Sequence, residues 1–220
     1  NISVTFSEPV YNTTGGSGSL QTSDFTLSLS GGSATLSSAT PSSISVSGNI
    51  YTLGLSLSGT PNGSEIITVV PSSSTAIYDA SDNAASTSQS SNTVNLNERV
   101  VPIISSSSIA SNNKTINVTF SEAVFNAVGG SGALESTDFN LSLSGGIANL
   151  SSNTPTSIAS SGNIYTLGIT VVGASNGLEV ITISPVSNSI YDSNDNLAST
   201  SQSNNTCLLY TSPSPRDIGP

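Results

Sequence analysis

The stretch NISVTFSEPVYN, residues 1–12, returns as TINVTFSEAVFN at residues 115–126, and its reading decides the fold. In the first copy Ile2, Val4 and Phe6 alternate with Ser3, Thr5 and Ser7; in the second, Ile116, Val118 and Phe120 hold the same places. A period of two sends successive side chains to opposite faces, so each stretch reads as a strand with one buried face.

Outward from that strand, the offset of 114 persists. SDFTLSLSGG lies over TDFNLSLSGG and SGNIYTLG over an identical SGNIYTLG; between 2–71 and 116–185, 44 of 70 residues are the same, which rules out chance. A one-residue deletion then aligns IYDASDNAASTSQSSNT with IYDSNDNLASTSQSNNT. Further alternating runs follow: Phe25, Leu27 and Leu29 with Phe139, Leu141 and Leu143; Tyr51, Leu53, Leu55 and Leu57 with Tyr165, Leu167, Ile169 and Val171; Ile67 and Val69 with Ile181 and Ile183. Between them fall Gly15-Gly16, Gly31-Gly32, Gly48-Asn49 and Asn62-Gly63, each repeated in the second copy, as tight turns require. No segment sustains a 3.6-residue apolar period, and neither unit contains the 20-to-30-residue internal period of a solenoid. The expectation is all-β: tandem β-sandwich domains at 1–94 and 114–206, with 95–113 a linker or connecting strand.

Composition narrows the chemistry. Charged residues make up 7% of the 220, against roughly 25% in an ordinary globular domain. Thirteen acidic side chains against three basic ones give a net charge of −10, a surface that repels nucleic acid. Histidine is absent and Cys207 is the one cysteine, which excludes zinc fingers, histidine acid–base chemistry and internal disulfides. No apolar stretch approaches the roughly 20 residues that span a bilayer, so no membrane insertion is expected. The first residues read as the middle of a domain, and the chain is expected to be internal to a longer, secreted protein.

The carboxylates recur in place: Glu8, Asp24, Glu65, Asp79 and Asp82 reappear as Glu122, Asp138, Glu179, Asp192 and Asp195. Their retention while nearby serines drift predicts a shared structural role. In the loop from Asp79 to Asn83, Asp79, Asp82 and Asn83 bring three oxygen-bearing side chains within five residues, as do Asp192, Asp195 and Asn196. A calcium ion takes six to eight oxygens, and such a loop supplies several, with Glu8 or Glu122 as distant ligands if the first strand's end meets it. The competing reading is a plain turn in which Asp and Asn bond nearby backbone N–H groups. A glycosidase would need two carboxylates flanking a groove with aromatic platforms, but Phe6, Phe25 and Tyr51 fall on core faces; Tyr78 and Tyr191 stand beside the acidic loops, placed to cap the core with a hydroxyl at the surface.

The succession TFSEPV, DFTLSLSGG, SGNIYTLGLSLSG, NGSEIITVVP and IYDASDNAAST, with its second copy, resembles the bacterial immunoglobulin-like repeats found in tandem in large secreted and surface proteins. The resemblance covers residues 1–206. It implies immunoglobulin-like β-sandwiches that serve as non-catalytic spacers in adhesins on the cell surface, some held rigid by calcium. Their partners would be neighbouring repeats and surface glycans or proteins. The family's end-of-domain loop often reads D-x-x-G-N; here Asp82 and Asp195 stand where it commonly has glycine. A carbohydrate-binding or adhesive module is the alternative function. From Cys207 the pattern breaks into CLLYTSPSPRDIGP. Residues 207–217 resemble translated sequencing-adapter read-through, and the segment from Cys207 onward is expected to pack against nothing.

Overall fold

The computed structural model describes residues 1–211. It divides into two compact units meeting at Val100 and Val101. Both are all-β and antiparallel, and among the described residues the only helical segments are single 3-10 turns at Thr22–Asp24 and Ser136–Asp138.

The first unit contains β1 (Ile2–Thr5), β2 (Phe25–Ser30), β3 (Thr35–Leu36), β4 (Ile44–Ser47), β5 (Ile50–Leu53), β6 (Leu57–Ser58), β7 (Ile66–Pro71) and β8 (Thr93–Asn95). They form a sheet ordered β1-β5-β4, a sheet ordered β2-β7-β8 and a short β3-β6 pair. The alternation seen in the sequence becomes burial. Ile2, Tyr51 and Leu53 from the first sheet meet Phe25, Leu27, Ile67 and Val69 from the second in one core. Register keeps the inward residues opposite one another, Ile2 facing Leu53 and Leu27 facing Val69 across their ladders, since a slip of one residue would turn every apolar side chain outward. The aromatics fill the space between layers. Phe6 meets Tyr51 edge-on with centroids 5.5 Å apart, and the Tyr51 hydroxyl points to the carbonyl of Val10.

The second unit contains β9 (Ile104–Ile109), β10 (Thr115–Phe120), β11 (Phe139–Ser144), β12 (Asn149–Leu150), β13 (Ser157–Ser161), β14 (Ile164–Gly168), β15 (Val171–Val172), β16 (Val180–Pro185) and β17 (Thr206–Leu208). Its sheets run β13-β14-β10-β9 and β11-β16-β17, with a β12-β15 pair. Phe120, Phe139 and Tyr165 repeat the aromatic trio, Phe120 and Tyr165 lying edge-on at 5.8 Å. Their core is deeper, with Ile104, Ile116, Val118, Leu167, Ile181, Ile183 and Ile190 fully buried.

Within the stretch 95–113, expected as a linker or connecting strand, Asn95 ends β8, the Leu96 N–H donates to the Glu65 carbonyl, and Ile104–Ile109 form β9 on the edge of β10. One expectation is corrected. The segment from Cys207 does pack. Ile181 pairs with Cys207, the Leu209 N–H donates to the Glu179 carbonyl as Leu96 does to Glu65, and Leu209 is 1% exposed. Alternation explains it: Cys207 and Leu209 point inward and supply the apolar pair that Val94 and Leu96 occupy in register in the first unit. Residues 212–220, the rest of the suspected read-through, lie outside the described residues.

Candidate functional site

The carboxylates divide into those that organise a loop from within and those at its rim. Asp79 begins the loop after the Tyr78 bridge to Tyr11. Its Oδ1 accepts the backbone N–H groups of Ser81 and Asn83, both at 2.8 Å, and its Oδ2 accepts the Asn83 side-chain amide at 2.8 Å. Asn83, first through its side chain and then through its backbone, holds the Asp79 carboxyl below the usual carboxylate range against the opposing effect of burial. Asp192 repeats the pattern with Asn194 and Asn196, and its side chain is fully buried.

Asp82 and Asp195 do different work. Their backbones sit at φ of 67° and 66°, the left-handed region. This explains the glycine common at that position in the repeats the sequence resembles, because most side chains are strained there. Here the carboxylate is used instead: Asp82 Oδ1 accepts the N–H of Gly15, and Asp195 Oδ1 that of Gly129, tying the diglycine turn to the acidic loop.

Glu8 is exposed. Among the described residues no group of three or more His, Cys, Asp or Glu side chains is placed to hold a metal ion. Neither Glu8, Asp79 and Asp82 in the first unit nor Glu122, Asp192 and Asp195 in the second form such a group. Asp79 and Asp192 turn their oxygens toward N–H donors of their own loop, and Asp82 and Asp195 turn theirs toward the neighbouring turn. That donor set fits an N–H-filled turn and does not fit a cage of six to eight oxygens. Melting curves in millimolar calcium and in chelator are accordingly expected to superimpose. A calcium-dependent rise in Tm that Asp79→Ala/Asp192→Ala abolishes would restore the metal reading.

The most constrained carboxylates are a pair that loop spacing does not single out. Glu65 and Glu179 are completely buried. Glu65 Oε1 accepts the N–H groups of Ser33 at 2.7 Å and Ala34 at 3.0 Å; Oε2 accepts those of Asn62 and Gly63, both at 3.0 Å. Glu179 does the same with Ile147, Ala148, Asn176 and Gly177. One side chain thereby gathers two turns, the diglycine turn after β2 or β11 and the Asn-Gly turn before β7 or β16. Glycine is required where they meet: Gly32 has φ of 64°, and a Cβ there would stand 2.1 Å from the Glu65 carboxyl carbon. Burial pushes both carboxyls upward, but the converging backbone N–H groups outweigh it and bring each down to about 2. The signal in the sequence was their retention in both copies, each just after its Asn-Gly turn.

Asp24 and Asp138 complete the set by accepting the N–H of Gln21 and of Glu135, each at 2.7 Å, closing the 3-10 turns ahead of β2 and β11. Tyr191 donates to the Asn188 carbonyl at 3.1 Å, which anchors its hydroxyl at the loop.

Compared with known proteins, the chain matches no family model, no curated protein and no solved structure. Among the described residues no helix is long and apolar enough to cross a membrane.

Proposed function

We propose that the chain is a non-catalytic spacer: two immunoglobulin-like repeats of a repetitive extracellular or cell-surface protein, contributing length and a rigid, soluble surface. The observation that carries this reading is how the recurring carboxylates are used. Glu65, Asp79, Glu179 and Asp192 place their oxygens on backbone N–H groups within their own unit, which firms loops and leaves those groups no part in acid–base work. A net charge of −10 with few charged residues overall supports a solvated, mutually repelling array.

Force spectroscopy of the full chain tethered at its ends tests the spacer role, with separate unfolding events of similar length expected for the two units. A panel of surface glycans offered to the same protein is expected to give no saturable binding. Saturable glycan binding would favour the carbohydrate-binding alternative, and turnover of any glycan would overturn the non-catalytic reading.

A further inference from the structure

Asparagine is followed by glycine at two places in the chain, Asn62-Gly63 and Asn176-Gly177, and these are the same place in the two units. The pair is kept while the next residue changes from Ser64 to Leu178. The fold requires the glycine: Gly63 and Gly177 have φ of 84° and 83°, in the left-handed region that side chains resist. It also exposes both asparagines to water. Asparagine is thermolabile, most of all before glycine, which leaves the following amide nitrogen unhindered. That nitrogen loses its proton, attacks Cγ of the asparagine and expels ammonia, closing a succinimide ring. Water then opens the ring to aspartate or isoaspartate.

The turn holds each reacting group in another bond. The Gly63 N–H donates to Glu65 Oε2 at 3.0 Å, and the Gly177 N–H donates to Glu179 Oε2 at the same distance. Removing that proton would set an amide anion against a buried carboxylate, and the two charges repel where water screens them poorly. Neither glutamate can take the proton itself, since each carboxyl is held down at about 2. The carboxamides are engaged as well: Asn62 Oδ1 accepts the Ser64 N–H and Asn176 Oδ1 the Leu178 N–H, both at 3.1 Å. Ring closure would also disrupt the cradle, because an imide nitrogen has no hydrogen to give Oε2. Isoaspartate would do more damage. It adds one main-chain carbon between the Asn62 and Gly63 nitrogens, both of which Glu65 Oε2 accepts at 3.0 Å.

We infer that Asn62 and Asn176 are latent deamidation sites, each shut by its own glutamate and opened when its turn leaves that carboxylate. Each site then records the opening of its own unit. The isoaspartyl product no longer fits the cradle, so the reaction marks units that have opened and leaves them weaker.

The test follows ammonia loss and its products at Asn62 and Asn176 in the full chain at neutral pH, by mass spectrometry after digestion. Synthetic peptides of residues 60–66, TPNGSEI, and 174–180, ASNGLEV, give the unprotected rates. Deamidation in the folded chain is expected to be slower than in the peptides by roughly a hundredfold or more. Amide exchange of Gly63 and Gly177 measures the same opening independently, so the slowing at each asparagine should match the protection of the glycine after it. Glu65→Gln should speed reaction at Asn62 by roughly tenfold or more and leave Asn176 unchanged, with Glu179→Gln the reverse. A reacted unit should melt lower than an unreacted one. Rates in the folded chain within about threefold of the peptide rates, or faster than the glycine's exchange protection permits, would show that the closed turn reacts and would overturn the proposal. An unchanged rate at Asn62 in Glu65→Gln would overturn it equally.

Discussion

Glu179→Gln is expected to lower the Tm of the second unit by roughly 10 °C at pH 7, with the first unit unchanged. The substitution keeps size and shape but turns one oxygen into an NH2 that must face N–H groups of Ile147, Ala148, Asn176 or Gly177. Donor against donor leaves buried groups unsatisfied, and that desolvation is the costly side of hydrogen bonding. Glu65→Gln should do the same to the first unit. The wild type has a matching acid response. Both carboxyls fall from 4.5 to about 2 on folding, so their stabilisation is complete above about pH 4.5 and is lost as the pH falls toward 2. Hydrogen exchange resolved by unit, from pH 7 to pH 2, reads both effects. If Glu179→Gln melts like the wild type, or loses stability over the same acid window, the cradle is not what holds these turns.

Leu209→Ala should destabilise the second unit by about 3 kcal/mol, within the range of about 2–5 kcal/mol for truncating a buried leucine. Leu209 belongs to the core with Phe120, Phe139 and Ile181. Denaturant titration with a probe in each unit measures it. A change below about 0.5 kcal/mol would mean that the chain from Cys207 onward contributes nothing to the core, as the break in the sequence pattern suggests.

How much was legible depended on whether a residue's role was local. Ile2, Val4 and Phe6, or Phe25, Leu27 and Leu29, alternate over an uninterrupted run and are read directly as strands. β9 reads only as a linker or connecting strand, because its two isoleucines lie five residues apart with four serines between them. The ladder shifts register between Thr119 and Phe120, so simple alternation fails along it. The acidic loops show the second limit. Spacing reveals that Asp79, Asp82 and Asn83 are close, but not which N–H groups take their oxygens, since the partner of Asp82 is Gly15, 67 residues earlier. Glu65 escaped for the same reason: its donors at Ser33 and Ala34 come from a turn on another strand pair. The segment from Cys207 to Leu209 departs from its expectation because a broken similarity to the first copy is not broken structure: only two inward apolar positions have to be kept.

β17 has a consequence for how such a protein can be rebuilt over generations. Its bonds to β16 are main-chain bonds and do not distinguish one side chain from another, while Leu208, which points outward, is exposed. Closing a unit therefore asks of the incoming sequence only an apolar residue at two alternating places. Genetic joints that fall at Thr206, or at Thr93 in the first unit, can be followed by unrelated sequence without unfolding what comes before. For the spacer proposed above, gain or loss of a unit would then cost little at the seam.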